Sequence, residues 1–246
     1  MESVEAISKI EELVKNGLTV NVDGQEFSAA DLEPVVYEPR PATVAVNTLN
    51  GFCGFIENDI DGRIKREPHL IVVHSHEKVS LISAAGGRDN ARTGLVSAVL
   101  NRELEMFPFG QFLSQEEFAI RFRSLFVRNE GDDYDYVLEY ASKLVGSTAV
   151  EITDDGISQE VGVKKGVTGL RTEKTVLKPV VRLSPYRTFR DIGQPQSEFV
   201  FRVRMNKDDA PTVALFEADG GAWINTAMDT IVDFIRRQIT DIPVIA

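Results

Sequence analysis

Apolar residues at the start of the chain recur every three or four positions, which is the spacing of an amphipathic helix. Between residues 2 and 16 this apolar face consists of Val4, Ile7, Ile10, Leu13 and Val14. Gly17 follows, and glycine is common just after the last turn of a helix. The next stretch, LTVNVDGQEFS, predicts a β-hairpin that turns at Asp23 and Gly24, because glycine tolerates the positive φ of a tight turn.

The longest β-type pattern runs from His69 to Leu100. Its apolar runs, HLIVVHS, KVSLIS and TGLVSAVL, predict a meander of three strands, and GGRDNARTG between the last two is the predicted hairpin loop. Before the meander, ATVAVN predicts a further strand. Thr48 then caps a predicted short helix with one apolar face, formed by Leu49, Phe52, Phe55 and Ile56.

Two more helices are predicted after the meander. Ser114 and Glu117 stand at the spacing of a capping box, in which each side chain satisfies a free N–H group of the first turn. The apolar face of this helix contains Phe118, Phe122, Leu125 and Phe126. A second helix, which ends near Gly146, is indicated by Tyr136, Val137, Tyr140 and Leu144.

From residue 148 onward the apolar period changes to two, which is typical of strands. TAVEITDDGISQEVGV predicts a hairpin around Asp155 and Gly156. Further strands are predicted at GLRTEKTVL, PVVRLSP, EFVFRVRM and PTVALFEA. A last amphipathic helix follows, with an apolar face of Trp223, Ile224, Ala227, Ile231, Phe234 and Ile235.

This order of elements favours an α+β fold, with antiparallel sheets and several amphipathic helices, over a repeating βαβ pattern. We predict an N-terminal α+β region with a central β-meander at residues 1–147. Residues 148–246 form the predicted C-terminal β-rich region, closed by a helix. One continuous domain is the alternative.

Composition limits the class of protein. With 246 residues, 43% of them hydrophobic, the chain can bury a sizeable core. Its single cysteine, Cys53, excludes an intramolecular disulfide, and the N-terminal sequence lacks the basic and apolar regions of a secretion signal. No stretch reaches the roughly 18 apolar residues that a membrane span requires. We therefore expect a cytoplasmic protein with no membrane partner.

The histidines are the first candidates for chemistry, since His69, His74 and His76 all lie at the start of the meander. Residues i and i+2 of a strand point to the same face, so His74 and His76 could share a metal ion. The nearest carboxylate, Glu77, has the opposite parity, and the HxHxDH pattern of hydrolytic metal centres is incomplete. Ordinary hydrogen bonds at a strand end are the favoured interpretation, and no cofactor is predicted.

No catalytic set can be assembled from the sequence. Cys53 lies between phenylalanines with no neighbouring positive charge to stabilise a thiolate, and is predicted to be a buried small apolar residue. The chain contains neither GxxxxGK[ST] nor GxSxG. The sequence therefore favours a non-enzymatic protein without deciding the question.

Charge is unevenly distributed around the net value of −11. Residues 162–207 carry eleven lysines and arginines against three acidic residues. The flanking blocks are acidic, with net charges of −7 for residues 131–161 and −5 for residues 208–246. Such segregation of charge affects which surfaces can dock, rather than the fold.

The basic block has a sheet face of its own, because EFVFRVRM alternates strictly between apolar residues and arginines. The candidate anion-binding residues are Lys178, Arg182, Arg187, Arg190, Arg202 and Arg204. Tyr186 and Phe189 lie among them, and arginines beside aromatic rings suit a phosphate or a single-stranded nucleic acid. Pairing with acidic segments of the same or a neighbouring chain, or a solvated surface, are the alternatives.

Several motifs in order resemble a known family. These are FSAADLEP, NGFCGFIEN, SQEEFAIRFRSLF, PVVRLSPYR followed by FVFRVRM, and the closing FIRRQITDIPV. Through them, most of the chain after residue 26 resembles the phage and prophage proteins of unknown function that include the YfdQ-type prophage protein. The resemblance implies an early or accessory gene product of a tailed phage, often encoded near recombination or replication functions. It implies no activity and no catalytic residues.

Three hypotheses follow. The leading one is a non-enzymatic phage accessory protein that acts by binding and self-assembly as a homo-oligomer, since segregated charges suit contacts between subunits. The second is binding of nucleic acid or a nucleotide on the arginine face, in phage recombination or in countering host defence. The third is a metal-dependent hydrolase at His74 and His76.

Overall fold

The computed structural model describes residues 2–22, 25–28, 41–86, 91–101, 103–145, 149–154, 159–165, 171–208 and 210–246. Contacts divide the chain into two compact units, Met1–Pro41 and Ala42–Ala246. Among the described residues, no helix is both long enough and apolar enough to cross a membrane. The two units are described in turn.

The first unit contains the predicted helix and hairpin. Helix α1 (Glu2–Leu18) is followed by strands β1 (Thr19–Val22) and β2 (Gln25–Ser28). The two strands pair antiparallel, with Val22 opposite Gln25, so the hairpin is confirmed. Its predicted turn residues, Asp23 and Gly24, lie outside the described residues.

The second unit contains four helices and thirteen strands within the described ranges. The helices are α2 (Leu49–Glu57), α3 (Gln115–Leu125), α4 (Tyr134–Val145) and α5 (Trp223–Gln238). The strands are β3 (Val44–Val46), β4 (His69–Ser75), β5 (Lys78–Ser83), β6 (Gly94–Val99), β7 (Leu113–Ser114), β8 (Phe126–Val127), β9 (Ala149–Asp154), β10 (Gln159–Lys165), β11 (Arg171–Val176), β12 (Val180–Pro185), β13 (Ser197–Met205), β14 (Pro211–Glu217) and β15 (Val244–Ile245).

The first five-stranded sheet has the order β15-β4-β5-β6-β3. Strands β4, β5 and β6 pair antiparallel, which confirms the meander. Both outer strands are parallel to their neighbours: Val44 of β3 pairs with Val96, and Val244 of β15 pairs with Ile71. The sheet is therefore mixed at its edges, a detail that the prediction of antiparallel sheets did not contain.

Helices α2 and α5 pack on this sheet and form the first core. Thr48 caps α2 as predicted, since its hydroxyl accepts a hydrogen bond from the Gly51 N–H at 3.0 Å. A Cβ atom on Gly51 would lie 2.9 Å from that hydroxyl, so glycine makes room for the cap. The core combines residues of α2, the meander and α5 with two from the segment after β12: Leu49, Phe52, Ile71, Leu81, Val96, Ile231, Ile235, Phe189 and Ile192.

The second five-stranded sheet has the order β7-β14-β13-β12-β8. The predicted alternation of β13 is confirmed, because Phe199, Phe201 and Val203 are buried while Arg204 is exposed. Helices α3 and α4 cover the buried face. The Ser114 hydroxyl accepts from the Glu117 N–H at 3.3 Å and caps α3 as predicted. Aromatic rings dominate this second core: Phe107, Phe118, Phe122, Phe126, Tyr134, Tyr140, Phe199 and Phe201.

A third sheet, in the order β11-β10-β9, is antiparallel. The hairpin between β9 and β10 is confirmed, although its predicted turn at Asp155 and Gly156 lies outside the described residues, as does Gly146 at the predicted end of α4. Gln159 of β10 is buried, and its amide bonds to both backbone groups of Val203 at 3.0 and 3.2 Å. A side chain thus continues the hydrogen bonding of β13.

The fold is α+β, as predicted. The boundary predicted between residues 147 and 148 lies inside the second unit. Strands from both predicted regions share each five-stranded sheet: β7 pairs with β14, and β15 pairs with β4.

Candidate functional site

The six candidate basic residues lie on or near β12 and β13. Lys178 precedes β12 and Arg182 lies within it, whereas Arg202 and Arg204 lie on β13. Arg187 and Arg190 belong to the segment that joins the two strands. Adjacent strands therefore bring them to one region, but their surroundings differ from residue to residue.

Two of the six are paired with carboxylates on the surface. The Lys178 ammonium donates to both carboxylate oxygens of Asp133, at 2.7 and 2.8 Å. Asp133 also accepts from the backbone N–H of Arg182, at 2.8 Å. The Arg182 guanidinium pairs with Glu198 on the neighbouring strand, at 3.3 Å. These two cations have intramolecular partners, which is the alternative that the charge distribution left open.

Arg187 is buried, with 4% of its surface exposed. Its guanidinium donates to Glu217 at 2.6 Å and to the Ser197 hydroxyl, and it lies 3.9 Å from the ring centroid of Trp223. The His76 ring contacts the same indole in an edge-to-face arrangement, with 4.7 Å between ring centroids. We call Arg187, Ser197, Glu217, Trp223 and His76 the Arg187 junction.

The junction connects the two cores of the second unit. The Thr188 hydroxyl donates to the backbone carbonyl of His76, at 2.5 Å, and so links the β4–β5 turn to the segment after β12. Phe189 is completely buried in the first core. It is therefore not an exposed aromatic neighbour of the arginines, contrary to its place in the predicted anion-binding loop.

Burial determines the electrostatics of the junction. It lowers the pKa of the Arg187 guanidinium, against the opposing effect of the Glu217 and Asp219 carboxylates. Burial also lowers the pKa of His76, where Glu77 acts in the opposite direction and the charge of Arg187 adds to the lowering. The site thus holds one buried cation and disfavours a second one beside it.

A shallow cleft of about 260 Å³ opens beside the junction. Ser197 and Trp223 line it together with Arg182, Gln196, Glu198, Asp219, Ala222 and Thr226. Its charged residues are of both signs, so the cleft has no strong preference for an anion. The indole of Trp223 is its one aromatic surface.

Arg204 has a different environment from the paired cations. It is exposed, and its guanidinium lies 3.8 Å from the ring centroid of Phe112. Phe112 contacts Phe216 edge to face, with 5.8 Å between ring centroids, and both rings are half-buried. We call Arg204, Phe112 and Phe216 the arginine–phenylalanine patch. The half-buried Arg202 lies on the same face of β13, and Arg190 stacks on Tyr186 at 4.7 Å.

The two candidate metal ligands do not occupy equivalent strand positions. His74 is exposed in β4, but β4 ends at Ser75 after a register shift, and His76 lies in the following turn. The regular strand alternation on which a shared metal ion was predicted therefore does not extend to His76. Within the described ranges, no group of three His, Cys, Asp or Glu side chains is placed so that it could hold a metal ion.

Cys53 is buried in α2, as predicted. Burial raises the pKa of its thiol to about 12, and the charges of Glu57 and Asp191 add to the effect. A thiol with this pKa stays protonated at neutral pH and is a poor nucleophile.

Sequence reasoning missed the partners of the arginines. The helical spacing places Trp223 only on the apolar face of α5, and Glu217 lies thirty positions from Arg187 in the chain. Phe112 precedes β7, a strand of two residues that no periodicity reveals. These contacts join segments that are far apart in the chain, so no local pattern of the sequence indicates them.

Comparison with known proteins identifies no relative: the chain matches no family model, no curated protein and no solved structure.

Proposed function

We propose that the protein acts by binding and self-assembly rather than by catalysis, as an accessory protein of a tailed phage in the cytoplasm of a bacterial host. The phage role rests on the resemblance to the YfdQ-type family through motifs such as SQEEFAIRFRSLF and FIRRQITDIPV. Self-assembly rests on a separate observation, the apolar face of α1.

That apolar face is exposed along the helix. Val4, Ile7, Ile10, Leu13 and Val14 have 55–67% of their surface exposed. A contiguous apolar patch of this kind marks an interaction site in a soluble protein. Completing the burial of each side chain would contribute about 1 kcal/mol or more. Because most helical stability in proteins comes from packing of an apolar face, α1 gains order as well as burial from a partner.

A second copy of the chain is the partner that fits best. An apolar stripe is complementary to itself, so a two-fold axis can bring two α1 helices face to face without any change in sequence. The same arrangement gives each of the five side chains an apolar neighbour. We therefore propose a homo-oligomer in which α1 helices pack against each other.

Size exclusion with light scattering tests the assembly. The native chain should elute with a mass that is a multiple of 27.3 kDa, and Ile10→Glu should shift it to the monomer mass, because a buried carboxylate in an apolar interface is costly. Ser8→Glu is the matched control, since it adds the same side chain at an exposed polar position of α1 and should leave the mass unchanged. A native monomer at high protein concentration would refute the proposal.

A second candidate function, binding of nucleic acid or a nucleotide, is favoured by the arginine–phenylalanine patch. An exposed guanidinium beside two partly exposed phenylalanine rings combines a charge for phosphate with surfaces for base stacking. Lys178, Arg182 and Arg187 contribute less, because each is paired with a carboxylate. The binding surface therefore centres on Arg204, with Arg202 on the same face of β13.

Fluorescence anisotropy with a labelled oligothymidylate tests this candidate at about 50 and 200 mM salt. Arg204→Ala and Phe112→Ala should each weaken binding about tenfold, the first through loss of a phosphate contact and the second through loss of a stacking contact. Arg123→Ala is the control, because Arg123 is exposed on α3, which packs on the other face of the sheet. Equal effects of Arg123→Ala and Arg204→Ala, or affinity that does not change with salt, would argue against the patch.

A further inference from the structure

A pocket of about 400 Å³ lies away from both sites described above. It is formed where α2 ends, where the chain enters β4, and where α5 ends. Its volume falls within the range of small-molecule sites in proteins. None of its lining residues belongs to the Arg187 junction or to the arginine–phenylalanine patch.

Part of the pocket wall is apolar. Four isoleucines and a proline line it: Ile56, Ile64, Ile239, Ile242 and Pro68. Ile56 and Ile239 are almost completely buried and belong to the first core, so this side of the pocket is fixed by the packing of α2 and α5. A ligand with an apolar body can therefore displace water from a preformed surface.

The charge of the lining favours a cation. Glu57, Glu67 and Asp241 contribute carboxylates, whereas Lys65 contributes the one cationic side chain. Glu67 has a distant partner in Arg63, at 3.5 Å. Both α2 and α5 also end at the pocket, and the carbonyl groups at a helix C-terminus attract positive charge.

His69 provides an independent indication of a ligand. It lines the pocket with 7% of its surface exposed, and neither ring nitrogen has a hydrogen-bond partner within the part of the chain that the structure describes. A buried polar group without a partner costs about 1–3 kcal/mol. A ligand with an N–H donor would satisfy the acceptor nitrogen of the neutral ring.

We propose that this pocket binds a small organic cation that carries a protonated amine and a short apolar body. The ammonium group lies among Glu57, Glu67 and Asp241 and donates a hydrogen bond to His69. The apolar body lies against the isoleucines. This site is independent of the assembly through α1, since all its residues belong to the second unit.

Three probes of equal chain length separate charge from apolar burial: n-hexylammonium, hexan-1-ol and hexanoate. Each is titrated into the full chain and followed by NMR, with the imidazole protons of His69 as the site-specific signal. We expect n-hexylammonium to shift the His69 signals and to bind at least tenfold more tightly than hexan-1-ol, with hexanoate weaker still. Equal binding of the three probes, no binding of n-hexylammonium, or binding without a shift at His69 would overturn the proposal.

Variants then test the carboxylates. Glu57→Gln and Asp241→Asn should each weaken n-hexylammonium binding about fivefold, and both residues are exposed enough for the variants to keep the native core. Asp233→Asn is the matched control, because Asp233 is exposed on α5 and does not line the pocket. Affinities unchanged by Glu57→Gln and Asp241→Asn, or weakened equally by Asp233→Asn, would show that these carboxylates do not hold the cation.

Discussion

Arg187 and Arg182 show how much burial changes the contribution of an ion pair. Arg187 is 4% exposed and pairs with Glu217 at 2.6 Å, whereas the side chain of Arg182 is 63% exposed and pairs with Glu198 at 3.3 Å. The side chain of Glu217 is 44% exposed, so loss of Arg187 acts through the buried hydrogen bonds and ring contacts of the guanidinium itself, whereas an exposed ion pair contributes little. We therefore predict that Arg187→Ala lowers the free energy of unfolding by about 2 kcal/mol, and Arg182→Ala by less than about 1 kcal/mol.

Urea denaturation followed by far-UV circular dichroism measures both values. The comparison is matched, since each variant removes a guanidinium from the same region of the second sheet. Similar losses for the two variants would mean that burial of the Arg187 guanidinium adds no stability to its interactions.

His76 should make stability depend on pH. Burial and the charge of Arg187 lower its pKa in the folded state below the ordinary value of 6.5, so the unfolded chain takes up a proton first as the pH falls. The contribution of His76 to stability is therefore fully present above pH 6.5, and it is lost as the pH falls through that value toward the pKa of the folded state. In urea unfolding, the free energy of unfolding of His76→Gln should fall less steeply between neutral and mildly acid pH than that of the native chain.

His74 requires a parallel measurement. Burial and the charge of Lys78 lower its pKa as well, so it contributes a pH dependence of the same sign. His74 belongs to β4 and is not one of the residues of the Arg187 junction, so His74→Gln should retain the part of the slope that comes from His76. If His76→Gln and the native chain have the same slope, protonation of His76 does not oppose folding.

At the scale of elements, the Gln159 amide acts as a short piece of strand beside β13. It donates to the Val203 carbonyl at 3.2 Å and accepts from the Val203 N–H at 3.0 Å. Gln159→Leu would leave both buried backbone groups without these partners, and each such group costs about 1–3 kcal/mol. We predict a loss of about 2–4 kcal/mol in stability and faster hydrogen exchange at the Val203 amide.

Gln159→Glu tests the geometry more finely. The carboxylate keeps an acceptor for the Val203 N–H but cannot donate to the carbonyl while it is ionised. Its loss of stability should decrease as the pH falls, because the protonated acid can donate again. A loss that does not change with pH would mean that the donor side of this interaction is unimportant.

Elements with a strong local signal could be predicted from the sequence. The caps at Thr48 and Ser114 mark the starts of α2 and α3, and the alternation of EFVFRVRM identifies both the strand and its buried face. The two-residue strands β7, β8 and β15 have too few positions to show a period. Their pairing depends on contacts between distant parts of the chain, such as Val244 with Ile71.

The candidate site was predictable only in part, because its contacts also join distant parts of the chain. The sequence shows which residues are basic, but not that Asp133 lies beside Lys178 or that Glu217 lies beside Arg187. Those carboxylates are brought close by sheet pairing and by the packing of α4. The pocket at His69 could not be predicted from the sequence either, because its walls come from three separate segments.

At the scale of the whole molecule, the first core is assembled from distant parts of the second unit. Val244 of β15 pairs with β4 and is 7% exposed, while its neighbour Ile245 is 51% exposed. Val244→Ala should therefore lower the free energy of unfolding by about 1–2 kcal/mol, and Ile245→Ala by less than about 0.5 kcal/mol.

Val244→Ala also tests whether the two cores unfold together. The Arg187 junction joins them through the stacking of Arg187 on Trp223 and the hydrogen bond from Thr188 to His76. Trp223 is the only tryptophan, so its fluorescence reports on the junction, while hydrogen exchange at Phe201 and Val203 reports on the second core. If the second unit is one cooperative structure, Val244→Ala lowers the free energy of unfolding by the same amount in both measurements, although Val244 lies in the first core. A change confined to the fluorescence, with exchange in β13 unaltered, would show that the cores unfold independently and that the junction transmits little stability between them.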